Sequence, residues 1–280
     1  MKAGSVGSNP DGAVSLSTRP IQPLRELLVA VGETVANLNT AVVGLDAVER
    51  GHEKPETLNI SWNPQDRVAA ARKSRRFVLE AILVRVAEAL SEFVSAMAQL
   101  PRFSSARSTW NSKTTRAEKL ADLATEALGS ESYLVAGAAL LIHWRNRVVH
   151  PRSRASLTPQ QVGNLRSASG EIDSSFAGLS VDRLLNDFET GRPTLKDISS
   201  LIAMSIRMAR EMDKAVNFLS NNELDSLLEY YGLKARILEI EAQTTLSKCH
   251  ASTLRMLQST APGLMEAYRR LNPGNSREDG

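Results

Sequence analysis

Arg145, Asn146 and His150 have the side chains and the spacing to act together on a phosphate and a proton. They lie in the run Leu140-Leu141-Ile142-His143-Trp144-Arg145-Asn146-Arg147-Val148-Val149-His150-Pro151. Histidine titrates near neutral pH and can give or take a proton. Arginine presents a planar fork of donors that matches phosphate oxygens. Asparagine can steady either partner. The apolar residues before Arg145 predict a helix, and positions four apart on a helix share a face, so Asn146 and His150 are neighbours. Arg145 lies about 100° round the helix from Asn146, and its long side chain still reaches the same end. Pro151 disfavours helical backbone at His150, which places the histidine at the helix terminus. A plainer arrangement fits the same residues: a solvated helix end with His150 as its cap.

The Arg-Asn-x-x-x-His run, ending an apolar helix and followed at once by proline, resembles the motif of the HEPN superfamily (higher eukaryote and prokaryote nucleotide-binding domain). RNases of that superfamily carry Arg-x(4–6)-His, commonly with Asn after the Arg. The resemblance covers the motif and the helical organisation of about residues 65–180, and not the N-terminal tail or the C-terminal region. It implies an all-α, HEPN-like helical bundle and a metal-independent endoribonuclease acting in cellular defence or as a toxin. His150 would move protons, Arg145 would stabilise the charged phosphorane, and Asn146 would hold His150 or a phosphate oxygen. One histidine does not easily serve as both base and acid. HEPN RNases typically bring two motifs face to face, and this chain holds one, so the resemblance implies a homodimer with a composite site. In the nucleotidyltransferase-paired toxins of the superfamily a tyrosine stands two residues after the histidine. Arg152 stands there in this chain, which argues against that subclass.

RNA is the expected partner. Arg147, Arg152 and Arg154 surround the motif, and Arg72, Lys73, Arg75 and Arg76 crowd the start of an earlier helix, where positive charge opposes the dipole. These seven are the candidate RNA-binding residues, with a solvated basic face as the alternative. His143 is read as a satisfied bundle histidine, and Trp144 as packing or a base-stacking ring. No metal or cofactor is expected, since no carboxylate cluster or histidine pair stands at ligand spacing. A regulatory partner protein is compatible with the C-terminal region. Two further readings compete: a non-catalytic helical module that keeps the fold and binds RNA or protein, and a structural dimer on the apolar seam of 195–219.

The elements that must position the motif follow from apolar periodicity. Amphipathic helices are predicted over 21–50, 65–100, 115–128, 132–150, 158–178, 181–188, 194–219, 224–231 and 233–258, with a last short one at 264–271. Asn63-Pro64 reads as a helix start, as does Thr158-Pro159-Gln160-Gln161. Residues 134–141 are apolar all round, which marks a central helix, and Gly137 would let a neighbour approach closely. The expected organisation is a disordered tail over 1–20, a HEPN-like bundle over 21–192, a C-terminal helical hairpin within 193–271, and a frayed end over 272–280.

Composition narrows the class. A hydrophobic fraction of 42% supports an ordinary core, and 5% aromatic with abundant Leu and Ala suits helices over sheets. The formal charge of +3 permits an anionic partner without demanding one. A lone cysteine, Cys249, excludes an internal disulfide and a cysteine-based zinc site. No signal peptide is evident, and the longest apolar run, 133–142, is too short for a bilayer. A cytoplasmic protein without a membrane partner is expected.

Overall fold

Long runs of Leu, Val and Ala at three- and four-residue steps build helices whose apolar faces meet. In the computed structural model, residues 14–15, 21–216, 218–219 and 221–272 are described. The elements are β1 (Val14–Ser15), α1 (Gln22–Glu49), α2 (Arg67–Met97), a 3-10 turn (Pro101–Phe103), α3 (Ser104–Ser108), α4 (Arg116–Leu128), α5 (Tyr133–Val149), α6 (Pro159–Ser167), α7 (Ser169–Ser175), α8 (Val181–Thr190), α9 (Leu195–Val216), β2 (Phe218–Leu219), α10 (Asn221–Tyr230), α11 (Leu233–Gln243), α12 (Leu246–Thr260) and α13 (Pro262–Leu271). The chain is all-α. The two short strands form one antiparallel pairing, Val14 with Leu219 and Ser15 with Phe218.

Helices α1 and α2 form a hairpin. Leu24, Leu27, Val31 and Leu38 of α1 are buried, as are Leu83, Val86, Leu90, Phe93 and Met97 of α2. Full burial of each large side chain stabilises by about 1.5–3 kcal/mol. Helix α2 starts later than Asn63-Pro64 suggests. Asp66 has extended backbone and its Oδ1 accepts from the Ala69 N–H at 2.9 Å, so the cap is the carboxylate that offsets the dipole. The Ile21 N–H at the head of α1 donates to Asp213 Oδ1 of α9 at 2.9 Å. Helix α1 is long and apolar enough to cross a membrane by length and composition, although polar residues interrupt its apolar runs. In this structure its Leu24–Leu38 face packs into the protein core.

Helix α5 is central. Val135, Ala136, Ala138, Ala139, Leu140 and Leu141 are inaccessible to solvent, and α2, α4, α6 and α9 pack round them. At Gly137 a Cβ would run into Met204 Sδ and lie 3.2 Å from Met204 Cβ, so glycine permits the close approach of α9. Helix α9 carries the expected seam: Ile198, Ile202, Ser205, Ala209 and Met212 are buried, while Leu195 is exposed. That seam faces this chain's own core. The break at 191–194 is therefore a turn between packed helices, and the boundary expected after Arg192 does not separate two cores. The Val216 and Leu219 side chains lie outside the described residues.

Three further expectations shift. The helix expected over 158–178 is two, parted at Ala168, whose φ of −92° and ψ of 11° break the α6 geometry. The helix expected over 233–258 is also two. Thr244 is extended, and α12 begins after Thr245. The C-terminal part is accordingly four short helices, α10–α13, where a hairpin was expected. Arg102 of the 3-10 turn pairs with Glu223 of α10 at 3.0 Å and ties them to the bundle. The expected tails fall outside the described residues, apart from 14–15 and Asn272.

Candidate functional site

Helix α5 ends where the sequence indicates. The His150 N–H still donates to the Asn146 carbonyl at 2.9 Å, but its φ of −123° and ψ of 89° leave the helix, as the following proline requires. The Ser153 N–H then donates to the His150 carbonyl at 2.7 Å and turns the chain. The His150 backbone is thus held on both sides, while its side chain is exposed and makes no hydrogen bond or ion pair among the described residues.

Arg145 is placed very differently. Its side chain is only 16% exposed, and Nη2 lies 2.5 Å from Glu88 Oε1 on α2. Nη1 donates to Asn146 Oδ1 at 3.2 Å, so two of the three motif residues touch. Arg116, the first residue of α4, donates from Nη1 to both Glu88 oxygens at 2.8 Å. One carboxylate therefore lies between guanidiniums from two other helices. Partial burial works to raise the Glu88 pKa, but Arg116 and Arg145 outweigh it and hold the carboxyl below its ordinary range. A capping box brings the start of α4 here in regular form: Glu118 N–H donates to Thr115 Oγ1, and Thr115 N–H donates to Glu118 Oε2.

Arg147 serves the scaffold. Nε donates to the Ala155 carbonyl at 2.8 Å, and Nη1 donates to the Phe188 carbonyl at 3.3 Å. Both terminal nitrogens donate to the Glu189 carboxylate, and the guanidinium lies 3.8 Å over the Phe188 ring. Trp144 meets the same ring edge-on and is buried, so it is packing and not an open stacking surface. These bonds occupy the donors through which Arg147 was expected to meet RNA, and pin the loop after α5 to the end of α8.

Arg152 and Arg154 are exposed, make no protein ion pair among the described residues, and stand within four residues of His150. The α2 cluster is largely occupied. Arg72 Nε lies 3.0 Å from Glu49, Arg75 lies 3.2 Å from Glu49, and Arg76 pairs with Glu80 while donating to the Gly191 carbonyl. Lys73 alone of the four is exposed without a partner among the described residues. The adverse charge at the head of α2 thus has a structural counterweight in the carboxylates of α1.

His143 is half-buried, and its Nδ1 has no hydrogen-bond partner among the described residues. Burial, then Arg147, push its pKa below the ordinary histidine value against the pull of Glu118. It is a neutral packing histidine at neutral pH. Among the described residues no group of three His, Cys, Asp or Glu side chains could hold a metal ion. Comparison with protein-family models, with curated proteins and with solved structures finds no match to this chain. Sequence reasoning missed Glu88 and Arg116. Their only signals were a glutamate on the outer face of α2 and an arginine at the first position of a capping-box helix.

Proposed function

We propose that this chain is a metal-independent endoribonuclease of the HEPN type, a cytoplasmic defence or toxin effector that acts as a homodimer with a composite site. The observation that supports this reading most is the division of labour at the end of α5. Arg145 is fixed by Glu88 and Asn146, and five residues on, at the end of the same helix, stands a solvent-facing His150 whose side chain has no partner among the described residues. A fixed cation suits a developing phosphorane charge, and a free imidazole suits proton transfer. In the reaction the ribose 2′-oxygen bonds to the adjacent phosphorus as a base removes its proton. The bond from phosphorus to the 5′-oxygen then breaks, and an acid protonates that oxygen. The products are a 2′,3′-cyclic phosphate and a 5′-hydroxyl. His150 of one protomer takes the first proton and its copy in the partner supplies the second. Glu88 is a positioning residue that acts through Arg145. Arg152 and Arg154 attract the RNA backbone.

The test is incubation of purified protein with end-labelled RNA in EDTA, beside His150→Ala and Arg145→Ala. Cyclic-phosphate ends from the wild type, lost in both variants, are expected. An intact substrate with folded wild-type protein sinks the reading. A second reading has one observation in its favour: Glu88 already neutralises Arg145, as it would in a non-catalytic module that binds RNA or a protein. Binding of RNA without cleavage selects it.

A further inference from the structure

We propose that Arg116 is a second phosphate-binding residue of this site, working beside Arg145 from the first turn of α4. The proposal rests on the reading of the α5 end as an RNA site. Its basis is the Arg116–Glu88–Arg145 group. Each guanidinium reaches the same carboxylate, at 2.8 Å and 2.5 Å, so two like charges from the successive helices α4 and α5 are drawn together on a glutamate of α2. One carboxylate against two guanidiniums leaves the group positively charged, and a phosphate supplies the missing countercharge.

The two arginines are not equally available. Arg145 is 16% exposed and its Nε is buried without a partner among the described residues. Arg116 is 47% exposed and uses only Nη1 on Glu88, so Nε and Nη2 have no protein partner among the described residues. Arg145 is the oriented member and Arg116 the open one. Arg116 also stands at the positive end of the α4 dipole, which adds to its pull on an anion. The acidic residue of that first turn, Glu118, is engaged with Thr115. Helix α4 packs against α5, and the shared Glu88 carboxylate brings its first residue to the Arg145 guanidinium.

The deciding measurement is equilibrium binding of a single-stranded 2′-O-methyl RNA, which cannot be cleaved, across a series of salt concentrations. Losing one phosphate contact on a single strand flattens the slope of log affinity against log salt by about 0.7. Arg116→Ala is expected to bind more weakly with that flattening, and Arg116→Lys to recover most of the slope. The same comparison in a Glu88→Gln background separates direct contact from an effect through Glu88, because a direct contact still changes the slope there. An unchanged slope in Arg116→Ala, or a change that vanishes in the Glu88→Gln background, overturns the proposal. Cleavage of ordinary RNA is followed in parallel. Binding without cleavage rejects the nuclease reading and leaves Arg116 to be judged by the slope, whereas a wild type that does not bind rejects both.

Discussion

Glu49 and Glu88 each hold two guanidiniums, Arg72 with Arg75 and Arg116 with Arg145. The chemistry is the same, and the surroundings differ. The Glu49 group joins two successive helices across one hairpin, where the ion pairs fix how α1 lies on α2. The Glu88 group joins α2, α4 and α5, and it sits at the end of the helix that carries His150. Arg72 is 69% exposed, so solvent screens its charge, while Arg145 is 16% exposed and depends on its partner. A cluster of arginines is thus not by itself a ligand site. In the reading proposed above, what marks out the Glu88 group is the meeting of three helices near a histidine side chain without a partner among the described residues.

The largest expected difference is in activity. Arg145→Ala should lower kcat on labelled RNA by about 10²- to 10³-fold, the usual loss on removing one donor to a developing charge. Arg75→Ala should leave kcat unchanged, since its guanidinium serves the α1–α2 hairpin; equal losses in the two would erase the distinction. Next comes the clamp two residues after Arg145. Arg147→Ala removes charge-assisted hydrogen bonds to Glu189 and should cost about 1.5–3 kcal/mol in urea unfolding. Gly137→Val should destabilise by about 1–3 kcal/mol by overpacking against Met204, with a matching fall in the thermal midpoint. Arg72→Ala should cost only about 0–1 kcal/mol, as exposed pairs do.

The smallest effect is one of pH. His143 has a lowered pKa in the folded chain, so the unfolded chain binds its proton more readily. The stability involved is complete above about 6.5, the unfolded histidine value, and is lost as pH falls from there towards the folded value. Urea midpoints at pH 7.5 and 5.5 should therefore fall further apart in the wild type than in His143→Gln. A larger drop in the variant would contradict the burial of the neutral ring.

The helices were legible because their signals are local. Apolar steps place α1, α5 and α9, Thr158 and Gln161 form the capping box at α6, and Pro151 ends α5 at His150. The all-α class needs nothing more. The motif could be read for the same reason, since Arg145, Asn146 and His150 are near neighbours in one run. Glu88 and Arg116 could not, because no spacing rule links α2, α4 and α5 before they pack. The domain boundary was misplaced on similar grounds: Gly191 and Pro193 mark a turn, and a turn does not say whether the following helix packs back onto the same core. The role of Arg147 was also hidden, since Glu189 and Phe188 lie far along the chain and the sequence shows only its charge.

The tethering of His150 has a kinetic and entropic consequence. Its backbone is held by Asn146 and Ser153, but among the described residues no hydrogen bond or ion pair holds the exposed ring. An imidazole that must adopt one rotamer to meet a substrate loses about 0.5–1.5 kcal/mol of side-chain freedom on binding. Whatever first supplies the ring with a neighbour removes that cost for the next event. Occupancy of this helix end by RNA or by a second chain would then sharpen the response to the other, with no movement of the bundle beneath.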